Sequence, residues 1–333
     1  MAVDKIEKTT YTIPIGPIHP ALKEPIQLKL ELEGEKVVDT DVVVGQVHRS
    51  IEWLGMNRNN PVQSLYVAER ICGICNICHP LCLTIAVEQA ANITPPDRAE
   101  YIRAIAAEME RIHSHMLWAG VAAHEIGFDT VFYLTWRVRE EIMDLIEYVF
   151  GNRVTKAILQ FGGVRRDITA EQIPRIRKSL DYYKSIFEHL RRIFLEDRTV
   201  RMRTRNVGIL STEDALKLLA VGPTGRASGV PKDVRQDQPY SAYADLNVKA
   251  ITPDIITGMV VGDVYDRIIV RLLEIKQAVE IIEECIDKMP EGPIMSETKM
   301  PRLLKALTDA AGEGVGRVEA PRGEDIHYAR LEA

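Results

Sequence analysis

The sequence lacks the long apolar run that a membrane-spanning helix needs. Its 333 residues are 46% hydrophobic, but no stretch approaches the ~20 apolar residues that span a bilayer. The longest candidate, 105–126, is interrupted by glutamate, arginine and histidine side chains. The first eight residues also lack the apolar core of a secretory signal. We therefore expect a cytoplasmic chain that is peripheral to the membrane through partner subunits.

An excess of positive charge is also missing. Lysine and arginine number 42 against 48 aspartates and glutamates, for a net charge of −6, which argues against a nucleic-acid-binding protein. The basic cluster at 201–205 is balanced by acidic neighbours and predicts a solvated or subunit-contacting face. No Gly-x-Gly-x-x-Gly run follows a strand and no Gly-Lys-Ser loop occurs, so no nucleotide site is predicted.

Cysteine is scarce and unevenly placed. Four of the five cysteines lie within eleven positions, from Cys72 to Cys82. This clustering does not suit a disulfide framework; in a reducing compartment it indicates metal or redox chemistry. The remaining thiol, Cys285, lies in an amphipathic helical pattern and is interpreted as a small buried hydrophobe.

Two kinds of periodicity divide the chain. Residues 11–47 alternate in polarity with a glycine turn at 33–36, which predicts a small antiparallel sheet with one solvent-exposed face. From about residue 48 the pattern becomes helical. We therefore predict a small β portion at 1–47 and a mainly helical core domain at 48–333, with a metal-site motif at 69–79.

Helix boundaries follow from caps and apolar stripes. A long loop rich in glycine, proline and aspartate is expected at 222–240. The fold class is mainly α with a small N-terminal antiparallel β portion. The expected helices run from Asp97 toward Gly127, from about Thr130 to Phe150, from near Thr169 toward Leu195, over a short stretch after Ser211, and from Asp263 to Met289.

Charged groups on two of these helices leave their roles open. Arg111 and His115 share a helix face at i, i+4 spacing, and a surface or interface position is as compatible with this as a functional one. Asp263, Asp266 and Arg267 begin the last helix. They suit either a helix cap or a charged network linking this chain to a membrane partner.

The strongest chemical signal is the segment Glu69-Arg70-Ile71-Cys72-Gly73-Ile74-Cys75-Asn76-Ile77-Cys78-His79. Two thiols three positions apart form half of a soft-metal site, because thiolates select nickel, iron, copper(I) or zinc over hard cations. A complete centre normally needs about four protein donors. A structural zinc shared with Cys78 or His79, and an empty dithiol pocket, are the alternatives.

The stretch from Arg70 to His79 resembles the N-terminal nickel-binding motif of the large subunit of nickel–iron hydrogenases. Further stretches, spread in order over residues 12–328, narrow this to the membrane-bound, energy-converting hydrogenases, which are related to the 49-kDa subunit of respiratory complex I. The resemblance implies that this chain has the fold of these proteins. The stretches are 16–20, 24–25, 48–52, 111–115, 151–153, 162–167, 222–229, 262–267 and 319–324.

The resemblance also implies roles around the thiols. In the resembling family the cysteine at the position of Cys72 is a terminal nickel ligand, and the one at Cys75 bridges nickel and iron. The histidine at the position of His79 hydrogen-bonds the bridging sulfur and tunes the centre. Arg70 places a fixed positive charge beside Cys72, which favours the thiolate.

Proton and quinone chemistry are implied further toward the N-terminus. Glu24 corresponds to a glutamate that the family places near the metal site for proton transfer, a task that a carboxylate partly shielded from water can perform near neutral pH. His19 lies in the loop that faces the quinone headgroup in the complex I relatives. Here His19 borders a proton path in the alternative interpretation, as do His48, Glu52 and Glu69.

One departure from the family leaves the function open. Family members carry a second motif, Asp-Pro-Cys-x-x-Cys-x-x-His or Arg, that supplies the other two thiolates, and it is absent from these 333 residues. A truncated sequence, one half of a split subunit, and a relative that has abandoned the metal all remain possible explanations. The nickel–iron centre is thus incomplete in this chain, and a separate C-terminal fragment is one way to complete it.

Two functions are therefore expected as alternatives. In the first, the chain is the large subunit of an energy-converting hydrogenase. Ferredoxin would supply electrons through iron–sulfur clusters of a small subunit, proton reduction would give dihydrogen, and membrane subunits would pump ions. In the second, it is a non-hydrogenase relative that helps reduce a quinone or a sulfur compound at a neighbouring cluster, or that serves as a structural coupling subunit.

Overall fold

The computed structural model describes residues 10–20, 22, 24–58, 60–297 and 299–332. The chain divides into two compact units, 1–54 and 55–333, and each is described by itself. The expectation for the first eight residues lies outside the described residues. The predicted boundary after residue 47 marks the end of the alternating pattern and stays a prediction.

The first unit is built on a three-stranded antiparallel sheet in the order β1-β2-β3. Its strands are β1 (Thr10–Ile15), β2 (Gln27–Glu33) and β3 (Lys36–Val43). Gly34 makes the turn between β2 and β3 at a φ of +64°, a conformation that glycine adopts without steric cost. The expected small antiparallel sheet is confirmed.

The second unit is mainly helical, as expected. No helix among the described residues is both long and apolar enough to cross a membrane. The helices are α1 (Ile51–Met56), which crosses the unit boundary, α2 (Pro61–Ala68), α3 (Cys78–Ala91), α4 (Asp97–Glu125), α5 (Asp129–Phe150), α6 (Ile173–Arg191), α7 (Arg198–Thr204), α8 (Thr212–Lys217), α9 (Gly222–Ala227), α10 (Val234–Asp237), α11 (Asp254–Thr257), α12 (Val264–Lys288) and α13 (Met300–Thr308). Four strands complete it: β4 (Leu159–Gln160), β5 (Gly163–Val164), β6 (Gly312–Ala320) and β7 (Gly323–Leu331).

Helix α4 is the centre of the second unit. It packs against both α5 and α12, and its side chains are buried on nearly every side over residues 98–116. A helix that is enclosed all round lies in the core of a large domain. The apolar stripe predicted for α12 faces this core, and the three long helices expected at 97–127, 130–150 and 263–289 are confirmed.

Alternate glycines let a strand lie directly on a helix. Gly312, Gly314 and Gly316 lie on the same face of β6. A Cβ added at any of them would overlap a backbone carbonyl oxygen of α3. Successive side chains on a strand alternate between faces, so this face of β6 carries no side chain and approaches the α3 backbone. The β6–β7 hairpin is thereby fixed against α3, the helix that begins at Cys78 within the cysteine motif.

The structure corrects one expected loop. The segment 222–240 contains α9 and α10 rather than an uninterrupted loop. Its glycine and proline content was misleading because Pro223 lies in the first turn of α9, where proline's fixed φ suits a helix and its missing N–H costs nothing.

Two helix starts can be checked against their expected caps. Helix α6 begins at Ile173, later than the expected Thr169, although the Thr169 amide does donate to Gln172 Oε1 at 3.0 Å. Helix α8 begins after Ser211, whose Oγ accepts from Asp214 N, as the sequence predicted.

Candidate metal centre

Cys72 and Cys75 lie in a loop between two helices. We call residues 69–77 the thiol loop; α2 ends just before it and α3 begins just after it. Both thiols are half-buried, whereas Cys78 at the start of α3 is buried. Cys72 and Cys75 are therefore partly accessible to solvent, and Cys78 is not.

The thiols of Cys72 and Cys75 differ in acidity because a hydrogen bond connects them. Cys72 Sγ accepts from the backbone N–H groups of Ile74 and Cys75, each at 3.4 Å. The hydrogen bond from the Cys75 thiol does most to lower the pKa of Cys72 to about 5, aided by those two amides and by the charge of Arg322, against the opposing effect of burial. The same bond, with burial, raises the pKa of Cys75. The pair is thus a thiolate on Cys72 beside a thiol on Cys75.

Buried carboxylates fix both ends of the thiol loop. Glu110, on α4, accepts from Ile77 N at 2.6 Å and from Cys78 N at 3.0 Å, two of the N–H groups that the start of α3 leaves unpaired. Lys156 Nζ lies 3.6 Å from Glu110 Oε1. At the other end Glu69 accepts from the amide of residue 157 at 2.6 Å. The thiols are therefore held on a rigid support.

The other three cysteines have packing environments of their own. Burial raises the pKa of Cys78, which also contacts Glu110. Cys82 Sγ donates to the Asp325 carbonyl oxygen at 3.3 Å, and burial raises its pKa. Cys285 is fully buried within α12, as expected.

The donor set therefore fits half of a nickel–iron centre. Among the described residues, Cys72 and Cys75 supply the two soft donors of the loop. A centre of about four donors needs further ligands from outside this set.

Arg70 is anchored in the thiol loop by two hydrogen bonds. Its guanidinium donates to the Tyr66 carbonyl at 2.7 Å and to Glu69 at 3.3 Å, and the arginine that lowers the pKa of Cys72 is Arg322. The function of Arg70 itself stays a prediction.

Glu24 and His19 lie in the first unit, in the segment between β1 and β2. Both side chains are exposed in this chain. The His19 carbonyl accepts from Leu22 N at 3.0 Å in a turn. The proton-transfer role of Glu24 and the cofactor role of His19 stay predictions.

His79 is in the first turn of α3 and meets two residues that sequence reasoning missed. Its Nδ1 lies 2.8 Å from Asp325 Oδ2 and 3.4 Å from His327 Nε2. Burial lowers the pKa of His79, but the hydrogen bond and the charge of Asp325 raise it by more, so the net change is an increase. The available signal was the i, i+2 spacing of Asp325 and His327 on a strand, which puts both on one face.

A second cluster of ionisable groups is buried in the same unit. We call it the charge network. Each charged member has an oppositely charged partner within 3.2 Å, and two neutral side chains extend it. Its charged members are Glu108, Arg111, Arg226, Asp233, Arg235, Glu274 and Glu319, and the neutral ones are His115 and Tyr243.

Arg226 lies at the centre of the charge network. Its guanidinium contacts Glu274 at 2.7 Å and Glu319 at 2.8 Å. Burial alone would raise the pKa of Glu274, but Arg226, His115 and Arg111 together hold it well below its usual range. The carboxylate is therefore ionised and paired.

The charge network overturns the surface interpretation of two residues. Arg111 and His115 are fully buried. Arg111 Nε contacts Glu108 Oε2 at 3.2 Å, and His115 Nε2 contacts Glu274 Oε2 at 2.7 Å. Asp263 is a helix cap, as one of the two alternatives had it, since its side chain accepts from Asp266 N.

Two families match this chain. Residues 125–332 match the family described as respiratory-chain NADH dehydrogenase, 49 Kd subunit. Residues 49–119, which include the thiol loop, match the family described as nickel-dependent hydrogenase.

Two individual relatives agree with the hydrogenase match. The membrane-bound hydrogenase subunit alpha of Pyrococcus furiosus is 46% identical over 322 residues, covering 96% of this chain and 75% of that protein. The carbon monoxide-induced hydrogenase of Rhodospirillum rubrum is 36% identical over 323 residues, covering 97% of this chain and 86% of that protein.

A solved structure confirms the expected architecture. A chain of the "membrane-bound sulfane sulfur reductase (MBS), an archaeal respiratory membrane complex" superposes with a TM-score of 0.89 at 28% identity. The similarity covers 98% of this chain and 86% of that one. The predicted fold, that of hydrogenase large subunits and the 49-kDa subunit of complex I, is confirmed.

Proposed function

This chain belongs to the family of oxidoreductase subunits that joins the 49-kDa subunit of respiratory-chain NADH dehydrogenase to the membrane-bound hydrogenases, and we propose that it is the large subunit of a ferredoxin-linked, energy-converting nickel–iron hydrogenase. The observation that carries the proposal is the Cys72–Cys75 pair: a thiolate beside a thiol, on a loop anchored by buried carboxylates. Soft, preformed thiolate donors suit nickel and iron.

The residues of this chain hold and orient one side of the centre. Cys72 and Cys75 supply two of its thiolates, and the remaining donors come from a segment or fragment that carries the second cysteine motif. When bound, the centre would supply the redox chemistry that reduces protons to dihydrogen. His79 turns Nδ1 toward Asp325, so Nε2 is free in this role to hydrogen-bond a sulfur atom.

The partners follow from the same proposal. An iron–sulfur small subunit delivers electrons from ferredoxin, and membrane subunits couple the reaction to ion pumping. The relatives of this chain include subunits of membrane-bound complexes, which supports membrane subunits as partners. Glu24 is proposed to pass protons to the centre, and Arg70 and His19 are proposed to border the same region.

A second candidate is reduction of a sulfur compound at a neighbouring cluster. The observation that favours it is the fold similarity to a chain of the sulfane sulfur reductase complex. In this candidate the thiol loop lines a cavity without holding nickel.

Metal content tests the proposal. The 333-residue chain alone should not retain stoichiometric nickel, because two thiolates offer too few donors. Co-expressed with the small subunit, a fragment carrying the second cysteine motif and the maturation proteins, it should retain about one nickel per complex by elemental analysis.

Two variants sharpen this test. Cys72→Ser should abolish nickel retention in the assembled complex, whereas Cys285→Ser changes a thiol buried away from the loop and should leave nickel content unchanged. Tightly held nickel in the isolated chain would contradict the donor argument. A complex that takes up no nickel but reduces a sulfane sulfur compound would replace the hydrogenase proposal with the second candidate.

A further inference from the structure

Three side chains of α3 and β7 bring one donor atom each close together. The atoms are His79 Nδ1, Asp325 Oδ2 and His327 Nε2, and all lie within 4.8 Å of one another. Nδ1 is 2.8 Å from Oδ2 and 3.4 Å from Nε2, and Nε2 is 3.6 Å from Oδ2. Ligands that sit about 2.0–2.2 Å from a tetrahedral ion are roughly 3.3–3.6 Å apart. Two of the three separations match that spacing.

Hydrogen bonding alone does not account for this arrangement. Asp325 Oδ2 is buried and has two imidazoles beside it: His79 Nδ1 at 2.8 Å, within hydrogen-bonding distance, and His327 Nε2 at 3.6 Å, beyond it. A single proton on His79 Nδ1 cannot be shared well between Asp325 and His327. A cation bound by all three atoms would satisfy each of them.

The backbone fixes the three donors before any ion binds. Asp325 and His327 are two apart on β7 and so share one face; the hairpin pairs them with Val318 and Gly316 of β6. Gly316 lies directly on the α3 backbone, which carries His79. A site on a paired strand and the first turn of a helix is held more rigidly than one on loops.

We propose that His79, Asp325 and His327 form a binding site for a divalent transition-metal ion of the Zn²⁺ type, separate from the Cys72–Cys75 pair. Two imidazole nitrogens and one carboxylate oxygen form a donor set typical of Zn²⁺ and related ions. The site goes beyond the hydrogenase proposal because it needs neither nickel nor a partner subunit. It uses Nδ1 of His79 and leaves Nε2 for the sulfur contact proposed above.

The test is Zn²⁺ affinity, measured on the purified 333-residue chain by competition with a chromophoric chelator. His327→Gln and Asp325→Asn each remove one donor and should weaken binding at least about 100-fold, since even changes in outer-shell partners cost about 10–100-fold. The matched control is His124→Gln. His124 Nδ1 contacts Asp129 Oδ1 at 2.7 Å on the surface, in a histidine–aspartate pair without a third donor, and its loss should leave Zn²⁺ affinity unchanged.

Removal of the two thiols of the thiol loop separates this site from that loop. The double variant Cys72→Ser/Cys75→Ser should keep the Zn²⁺ affinity, and Co²⁺ bound to it should show ligand-field bands without thiolate charge transfer. Circular dichroism of each variant without metal identifies any that fails to fold; the other donor substitution then decides. Loss of Zn²⁺ in the double variant with retention in His327→Gln would overturn the proposal and give the ion to the cysteines. Absence of Zn²⁺ binding by the unmodified chain would overturn it as well.

Discussion

The charge network and the thiol loop lie in the same unit but treat their ionisable groups in opposite ways. In the charge network every charged side chain is buried and has an oppositely charged partner within 3.2 Å. In the thiol loop the two cysteines are half-buried, and the Cys72 thiolate is stabilised by two long amide contacts and a neighbouring thiol.

This difference separates structural charges from binding groups. A perturbed pKa by itself marks either kind of site. In the charge network the charged side chains pair with one another, so the network needs no ligand. In the thiol loop the Cys75 thiol, two backbone amides and the charge of Arg322 lower the pKa of Cys72. The resulting thiolate is a soft donor that suits a metal. The segments 111–115, 222–229 and 319–324 resemble the family motifs closely, yet their side chains contribute to the charge network.

The largest expected effect is the loss of one charge from the network. Arg226→Met should lower the free energy of unfolding by about 3–5 kcal/mol, because removing one partner of a buried ion cluster leaves the others uncompensated. The measurement is urea denaturation of the purified protein followed by circular dichroism.

Arg153→Met is the matched control. Arg153 also contacts two carboxylates, Glu140 and Asp144, but on the surface. Exposed ion pairs contribute at most about 1 kcal/mol, so the two substitutions should differ clearly. Equal costs would show that the charge network is not the structural element that its geometry indicates.

The second prediction concerns the acidity of Cys72. Because its pKa is lowered to about 5, the thiolate is present above that pH and is lost only as the pH falls through it. Alkylation by iodoacetamide in the metal-free protein should therefore change little between pH 6 and pH 8. An ordinary thiol with a pKa of about 8.5 would react roughly 100-fold faster at the higher pH.

Mass spectrometry of the alkylated peptides gives the rate for each cysteine. Cys285 is the internal control, since burial raises its pKa and it should stay unmodified while the protein is folded. A rate at Cys72 that climbs tenfold per pH unit over this range would mean that the thiol loop holds two ordinary thiols. The distinction from the charge network would then rest on exposure alone.

The same contrast explains what the sequence could predict. Local periodicity and caps predict the helices α4, α5 and α12 and the sheet of the first unit, because both signals come from residues that are close together in the sequence. The long-range partners of Arg111 and His115 are not predicted in this way, since the Glu319 carbonyl oxygen and the Glu274 carboxylate lie 208 and 159 positions away. Sequence periodicity places a residue on a face of its own helix, but the residues that will cover that face come from tertiary packing.

The candidate site divides in the same way. Cys72 and Cys75 were identified because their spacing is itself a chemical signal. Asp325 and His327 were missed because they contact His79 only once β7 lies on α3. That contact depends on the glycines of β6, which carry no chemical signal of their own.

The smallest expected effect concerns Glu24, a carboxylate exposed in the first unit. If it serves the metal centre rather than the fold, Glu24→Gln should leave stability and metal content unchanged in the completed hydrogenase, because glutamine keeps the shape and hydrogen-bonding capacity. It cannot exchange a proton, and a general acid–base step contributes ~100- to 10,000-fold, so dihydrogen evolution should fall by at least about tenfold. Glu52→Gln, also exposed in that unit, should change turnover less. Undiminished dihydrogen evolution in the fully metallated Glu24→Gln complex would place the proton path elsewhere and leave Glu24 an ordinary loop carboxylate.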